Sequence, residues 1–275
     1  MPNLRIVSDN AADRGTTTVS ASVGNFVAAN LKNDIKSAVW RVTGTTGTIS
    51  TSWTTAETVS CVVLPFCNLT PTATIRVRGY SDTAGTVQVI DSTALLACPA
   101  AAIALRGFTA LAAQSAYAYG GGAYARVYIT PTSVKKIVID LVDTANTAGY
   151  IEVSRLVAGA YWSPTYNADW GAGATAVDTG KNVRTDGGDL ISDRGTRNTK
   201  LTLNLSSMPA ADRTSLLKIL VANGISNPLF ISVFPANADL ELERDSQVYG
   251  KLSTVAAMTL PMFNSYAIPL EIEGI

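Results

Sequence analysis

Residues 149–164 combine two patterns and join two parts of the chain. Residues 150–157 alternate apolar and polar positions, which predicts a β-strand with one buried face. The following residues break this pattern with the large apolar side chains of Tyr161 and Trp162 and with Pro164, which ends sheet pairing. We therefore expect this stretch to close one domain and begin another, with Tyr161 and Trp162 packed at the domain junction.

Short apolar or alternating segments precede this stretch, and turns rich in Gly, Asn, Asp and Thr separate them. Strands at this spacing are typical of an antiparallel sandwich, so we predict a β-sandwich domain over residues 1–160. The segments predicted as strands are 4–7, 38–42, 59–65, 73–80, 86–91, 125–129 and 134–141. In the predicted hairpin over 73–91, the expected inward positions are Ile75, Val77, Val87 and Val89.

The pattern of apolar and polar positions over residues 161–275 predicts a smaller β domain with one helix. Its predicted strands are 200–205, 228–235, 249–255 and 266–272. A helix over 209–223 is indicated by Ser207 as a cap, Pro209 in the first turn, Asp212 near the N-terminal end and Gly224 after the last turn. The apolar face expected to pack on the sheet consists of Leu216, Leu217, Leu220 and Val221.

Composition narrows the classes of partner. The 275 residues are 47% hydrophobic, which suits two domains with substantial cores. Only 15% are charged, and 21 Lys+Arg offset 21 Asp+Glu, so we expect no nucleic-acid partner. We also expect no targeting segment and no membrane insertion, because no window approaches the ~20 apolar residues of a membrane helix. Low charge favours burial of surface in an assembly, although an ordinary soluble β protein has the same composition.

Side chains that support metal binding or acid–base chemistry are scarce. The chain has no histidine and three cysteines, Cys61, Cys67 and Cys98. A zinc or iron–sulfur site needs about four ligands, so we expect no metal and no cofactor. The odd number of cysteines favours buried thiols in a reducing cytoplasm, and the alternative is that Cys61 and Cys67 are paired strand neighbours.

A glycosidase requires only two carboxylates, which leaves a few acidic candidates. The carboxylate candidates are Asp186 with Asp189, and Glu241, Glu243 and Asp245, of which Glu241 and Glu243 would share one face of a strand. Asp143, Asn146 and Glu152 carry oxygen atoms that could bind calcium, but they match no EF-hand register. Solvated edges and turns are the favoured interpretation of both sets, so we predict no catalytic residue and no enzymatic activity.

Aromatic residues offer a candidate glycan contact. The candidates are Trp40, Trp53, Tyr80, Tyr117, Tyr119 and Tyr124. Trp40 lies within an apolar strand and is expected in the core. Tyr117, Tyr119 and Tyr124 flank the glycine run 120–122, where aromatic side chains could project from a flexible loop. The run lacks the Lys-Ser/Thr pair of a phosphate-binding loop.

Several short motifs at and beyond residues 149–164 carry a resemblance to a known family. They are Gly149-Tyr150-Ile151-Glu152-Val153, Arg155-Leu156, Gly159, Trp162-Ser163-Pro164, Asn167, Trp170, Ser192-Asp193-Arg194, Tyr249-Gly250-Lys251-Leu252 and Pro269-Leu270-Glu271-Ile272-Glu273, together with the predicted helix. The chain resembles distal-tail-like minor tail proteins in the tail tip or baseplate of long-tailed bacteriophages. Residues 38–160 are similar to the galactose-binding-like jelly-roll sandwich found in such proteins.

The resemblance implies a structural virion protein that joins the end of the tail tube to hub or fibre components. It implies a homo-oligomer in the virion tail, assembled in the bacterial cytoplasm, with tube, hub and fibre proteins as partners. A carbohydrate-binding module for host surface glycans is the alternative, with Tyr119 and Tyr124 as contacts. A glycan hydrolase using Asp186 and Asp189 is the third hypothesis.

Overall fold

The computed structural model describes residues 2–99 and 123–275, which are mainly β-strand. The strands are β1 (Arg5–Val7), β2 (Thr16–Val19), β3 (Trp40–Thr43), β4 (Thr46–Cys67), β5 (Thr74–Tyr80), β6 (Gln88–Asp91), β7 (Leu95–Leu96), β8 (Ala123–Val142), β9 (Tyr150–Val153), β10 (Val157–Gly159), β11 (Gly173–Asp178), β12 (Lys181–Arg184), β13 (Leu190–Asp193), β14 (Arg197–Met208), β15 (Leu229–Ser232), β16 (Gln247–Leu252), β17 (Thr259–Met262) and β18 (Ser265–Gly274). The α-helices are α1 (Ala210–Asn223) and α2 (Leu240–Asp245), and 3-10 turns occur at Ala11–Asp13 and Ala28–Lys32. The predicted mainly β fold is confirmed.

Two long strands organise the sandwich. Strand β4 pairs antiparallel with β8 along almost its whole length, through register shifts at Ser52/Glu57, Val59/Cys61 and Leu64/Cys67. The first half of β4 also pairs with β2, and its second half pairs with β10. Because β-bulges bend and twist a strand, these shifts curve the nine-stranded sheet in which β4 and β8 are neighbours.

The core of the sandwich contains Ile75 and Val77, two of the four positions that the alternation predicted as inward. It includes Ile49, Val62, Ile75 and Ile139, all fully buried. Trp40 is also fully buried, and its indole N–H donates to the carbonyl of Ala21 at 2.8 Å. The prediction that Trp40 belongs to the core is confirmed.

A second sheet forms the other part of the molecule, in the order β1-β15-β16-β18-β14-β11. The prediction assigned residues 4–7 to the first domain, but β1 pairs with β15 in this second sheet. The sandwich is therefore inserted between β1 and the remaining strands of the second sheet. Helix α1 packs against β14 and β18 through Leu216 and Leu220.

Four local predictions require correction. In the hairpin of β5 and β6, Val87 and Val89 are exposed and Ile90 is buried, because a register shift at Gly79/Tyr80 moves the inward position. On α1, Leu217 and Val221 are exposed. Pro209 rather than Ser207 occupies the N-cap position, and one short second helix, α2, is present where a strand was expected.

Neither α-helix in residues 2–99 and 123–275 is long and apolar enough to cross a membrane.

Candidate functional site

The sandwich and the second sheet meet in a buried junction of aromatic and apolar side chains. Phe66 from β4 lies against Tyr124 of β8 and Tyr249 of β16, with ring centroids 5.5 and 6.3 Å apart. Tyr124 also contacts Phe230 of β15 at 6.3 Å. The other buried members of this cluster are Val7, Cys61, Val63 and Val157. Each sheet thus covers apolar surface that the other would expose to water.

Arg155 anchors the polar side of this junction. It follows β9, its side chain is almost fully buried, and it binds both carboxylate oxygens of Asp13 at 2.7 and 2.8 Å. Its Nε donates to the hydroxyl of Tyr249 at 3.0 Å, and that hydroxyl donates to Asp34 at 2.6 Å. Burial would lower the pKa of Arg155, but the hydrogen bonds with Asp13 and Tyr249 outweigh it and raise that pKa. The guanidinium therefore stays charged and links three separate segments.

A second buried ion pair joins β8 to α2. Arg126 Nε lies 2.6 Å from Glu243 Oε1, with side-chain exposures of 7% and 3%. In the intact pair each buried charge is neutralised by the other, whereas removing a single partner leaves an uncompensated buried charge. Glu243 is therefore a structural link between the two sheets.

The predicted acidic candidates do not form a carboxylate pair. Glu241 and Glu243 were expected on one face of a strand, but residues 240–245 form α2 instead. Asp245 is exposed and paired with Arg244. Asp186 and Asp189 are exposed in the turn between β12 and β13.

The candidate calcium residues are occupied by structural contacts. Asp143 is fully buried and accepts hydrogen bonds from the backbone and hydroxyl of Thr70 at 2.8 and 2.6 Å. Glu152 pairs with Arg41 at 3.1 Å, and Asn146 donates to the carbonyl of Tyr150 at 3.1 Å. Within the described residues, no group of three or more Cys, Asp or Glu side chains is placed to hold a metal ion.

The aromatic candidates are mostly internal. Trp53 and Tyr80 are buried. Tyr124 lies inside the junction, where its hydroxyl accepts from the backbone N–H of Tyr249 at 3.2 Å. Tyr117 and Tyr119 lie outside the described residues.

Tyr161 and Trp162 lie where the chain passes from the sandwich to the second sheet. Tyr161 contacts Tyr128 edge to face at 6.3 Å, and the guanidinium of Arg5 lies 4.6 Å from its ring centre. Trp162 packs against the core of the second sheet, and its backbone exchanges hydrogen bonds with Ile6 at 2.7 and 2.8 Å.

A projecting hairpin is the feature that sequence reasoning missed. We define the arm as residues 179–196, which extend the pairing of β11 with β14 through β12 and β13. All eight residues of β12 and β13 are exposed. Gly188 has a positive φ of 92° in the turn at the tip, a conformation that glycine adopts readily. Exposure was not predictable, because apolar–polar alternation looks the same whether or not a partner covers the strand.

The arm carries apolar side chains on both of its faces. Val183 and Ile191 are opposite each other in register and are 62% and 59% exposed. Leu190 pairs with Arg184 on the other face and is 57% exposed. A two-stranded hairpin is marginally stable in water without a sheet or helix to cover it. The arm therefore has the composition of a strand pair that is buried against another surface.

Two glycines bend the chain at the base of the arm. A Cβ atom at Gly195 would lie 2.2 Å from the backbone nitrogen of Gly180, so only glycine allows this approach. A cleft of 1050 Å³ opens beside the bend, and its lining includes the Asp178–Arg197 ion pair, whose atoms lie 2.8 Å apart.

No protein-family model matches the sequence, and no curated protein matches it. Solved structures that are similar to part of this chain include carbohydrate-binding modules and glycosidases. The module CpGH89CBM32-5 from Clostridium perfringens, in complex with GalNAc-β-1,3-galactose, is 10% identical, with 55% of this chain and 100% of that chain covered and a TM-score of 0.38. Chitosan-binding module 1 of a Paenibacillus chitosanase/glucanase is 14% identical, with 55% and 99% covered and a TM-score of 0.37.

A GH29 fucosidase of Ruminococcus gnavus in complex with fucose is 14% identical, with a TM-score of 0.39. The alignment covers 57% of this chain but only 27% of the fucosidase. At these identities and TM-scores, the similarity assigns no ligand or activity to this chain.

Proposed function

We propose that the chain is a non-enzymatic structural subunit whose arm is buried against a neighbouring copy in an assembly. The observation that carries this proposal is the exposure of Val183, Leu190 and Ile191 on both faces of an unsupported hairpin. Burial of a side chain of this size contributes about 1.5–3 kcal/mol, so covering the arm would favour association.

The charges of the arm suit a protein partner better than a polyanion. Its three basic residues, Lys181, Arg184 and Arg194, are matched by three acidic residues, Asp186, Asp189 and Asp193. A balanced set exerts no long-range attraction on nucleic acid. Mixed charges around apolar side chains can instead fix the register of one subunit on another.

Other exposed apolar residues lie elsewhere in the second half of the chain. Leu217, Val221 and Ile225 are exposed at or just beyond α1, and Met262 and Phe263 are exposed at the end of β17. Burial of these side chains in an assembly would remove further apolar surface from water.

The tail tip or baseplate of a long-tailed bacteriophage is the assembly that we propose, because the sequence motifs resemble distal-tail-like proteins. In this role the chain would occur in several copies and contact tube, hub and fibre proteins of the virion. None of the three similar structures described above is a virion protein, so this part of the proposal depends on the sequence resemblance.

The test of self-association is sedimentation of the purified chain over a hundredfold range of concentration. We expect a concentration-dependent oligomer that Ile191→Asp disrupts. Val87→Asp is the matched control, because Val87 is a similarly exposed valine on a hairpin of the sandwich. A monomer at every concentration, together with absence of the chain from purified phage particles by mass spectrometry, would overturn the proposal.

Carbohydrate binding is the second candidate, and the exposed side chain of Trp170 favours it. Trp170 is 106% exposed, on the loop that follows Trp162, and Tyr166 of the same loop is also exposed. An exposed indole offers an apolar face on which a sugar ring can stack. Saturable binding on a glycan panel, lost in Trp170→Ala and kept in Ile191→Asp, would support this candidate, whereas no binding across the panel would remove it.

A further inference from the structure

Two cysteine thiols from different strands of the sandwich meet at one edge of its core. Cys67 is the last residue of β4, and Cys98 follows β7. Their Sγ atoms lie 3.8 Å apart, although the two residues are 31 positions apart in the chain. The expected alternative, a pair formed by Cys61 and Cys67, does not fit, because Cys61 belongs to the junction cluster and Cys67 to the sandwich core.

The backbone holds both thiols in place. Cys67 pairs with Ala123 of β8 and with Val153 of β9, and its thiol donates to the carbonyl of Ala123 at 3.2 Å. Ala97, next to Cys98, donates its N–H to the carbonyl of Ala73 at 2.8 Å. A disulfide has an S–S length of about 2.0 Å, so side-chain rotation has to close a gap of about 1.8 Å.

We propose that Cys67 and Cys98 form a disulfide bond when the folded protein meets a small disulfide oxidant such as oxidised glutathione. Cys98 is partly exposed and Cys67 is fully buried, so the oxidant reaches Cys98 first. The Cys98 thiolate attacks oxidised glutathione, forming a mixed disulfide and releasing one reduced glutathione. The Cys67 thiolate then attacks the sulfur of Cys98 and releases the second. In total, the two protein thiols lose two protons and two electrons. These reduce one molecule of oxidised glutathione to two molecules of reduced glutathione.

Accessibility sets this order, and the ionisation of the two thiols affects the rate of the first step. Burial acts to raise the pKa of Cys67, but a hydrogen bond from the Cys98 thiol and nearby backbone groups outweigh it and lower the pKa. The same hydrogen bond and burial raise the pKa of Cys98. The first step is therefore slow near neutral pH and becomes faster as the pH rises. Burial raises the pKa of Cys61 and leaves that thiol unreactive.

The test uses the reduced, folded full chain incubated with oxidised glutathione at pH 8. We expect the number of free thiols to fall from three to one and the intact mass to fall by two hydrogens. Trypsin cleaves at Arg76 and Arg78, so the bond should link peptide 42–76 to peptide 79–106. Peptide 42–76 contains both Cys61 and Cys67, so the linked peptides alone do not show which of the two forms the bond. The Cys61→Ala variant should give the same link, which would identify Cys67 as the partner of Cys98.

Control variants keep the test decisive. Cys98→Ala should retain both remaining thiols under the same conditions, and because Cys98 is only partly buried this change should preserve the fold. Three free thiols in the folded wild-type chain after treatment that oxidises the urea-unfolded chain would overturn the proposal. A bond between Cys61 and Cys67, or a glutathione adduct that persists on Cys98, would also overturn it.

Discussion

The junction and the arm are both rich in apolar and charged side chains. They differ in how far other residues of the same chain bury the apolar side chains and pair the charged ones. In the junction, Arg155 and Arg126 are buried, and each contacts a carboxylate. In the arm, Val183 and Ile191 face water on a hairpin that nothing else in the described chain covers. The contrast teaches that the two sheets complete each other, whereas no described residue of the same chain covers the arm, for which we propose a surface of a neighbouring copy.

The largest expected effect comes from breaking the junction. Glu243→Ala leaves Arg126 buried and unpaired, and we expect the free energy of unfolding to fall by about 3–5 kcal/mol. Urea unfolding monitored by circular dichroism measures this change. Asp245→Ala is the control, because Asp245 lies on the same helix in an exposed pair with Arg244, and it should cost less than about 1 kcal/mol.

The double variant Arg126→Met/Glu243→Leu sharpens this test. Replacing both buried charges by apolar side chains should recover most of the lost stability. A Glu243→Ala protein as stable as wild type would mean that the ion pair does not hold the sheets together.

The next effect concerns the base of the arm. Gly195→Ala places a methyl group against the backbone of Gly180 and Thr179, so the two strands must separate there. We expect amide exchange in the arm to accelerate by at least about tenfold, which corresponds to about 1.4 kcal/mol of local stability, while exchange in the sandwich stays unchanged.

Gly187→Ala is the matched control for the bend, because the atom nearest to a Cβ there is 3.8 Å away. Equal exchange rates in the two variants would show that the close approach at Gly195 does not shape the arm.

A smaller effect lies in the sandwich, in the loop that Asp82 caps. Hydrogen bonds from the backbone N–H groups of Thr86 and Val87 lower the pKa of Asp82 to about 2 from its ordinary value of 3.8. Because the folded-state pKa is depressed, this stabilisation is present above about pH 4 and is lost as the pH falls towards 2. The drop in Tm between pH 5 and pH 2 should therefore be smaller in Asp82→Asn, and an identical drop in both proteins would contradict the assignment.

The smallest effect on the isolated subunit is expected at the tip of the arm. Ile191 is exposed, so Ile191→Asp should change the free energy of unfolding of the monomer by no more than about 0.5 kcal/mol. The same substitution should weaken self-association strongly. A large loss of monomer stability, measured by urea unfolding at low concentration, would place Ile191 in an internal contact.

Local pattern was enough to predict the mainly β fold and part of the sandwich core. Alternation identified Ile75 and Val77, and the apolar surroundings of Trp40 placed it inside. Pairings between distant segments were not predictable. Arg126 and Glu243 are 117 positions apart, and the local sequence around each residue does not identify the residue that it pairs with.

The candidate site was less predictable than the fold for a related reason. Glu241 and Glu243 have a spacing that suits a strand, but the hydrogen bond from the backbone of Leu242 to Asp239 at 3.2 Å begins a short helix instead. The apolar residues of the arm have ordinary strand periodicity, and periodicity does not reveal whether the covering surface belongs to the same chain.

The pairing of β1 with β15 has a consequence for how the chain acquires its structure during synthesis. The sandwich has all of its described strands between Thr16 and Gly159, so the ribosome completes it first. Strand β1 must wait, unpaired, until Leu229–Ser232 has been made, and such non-local pairing forms slowly. We expect nascent chains that end before residue 229 to contain a folded sandwich with a protease-sensitive segment ahead of it.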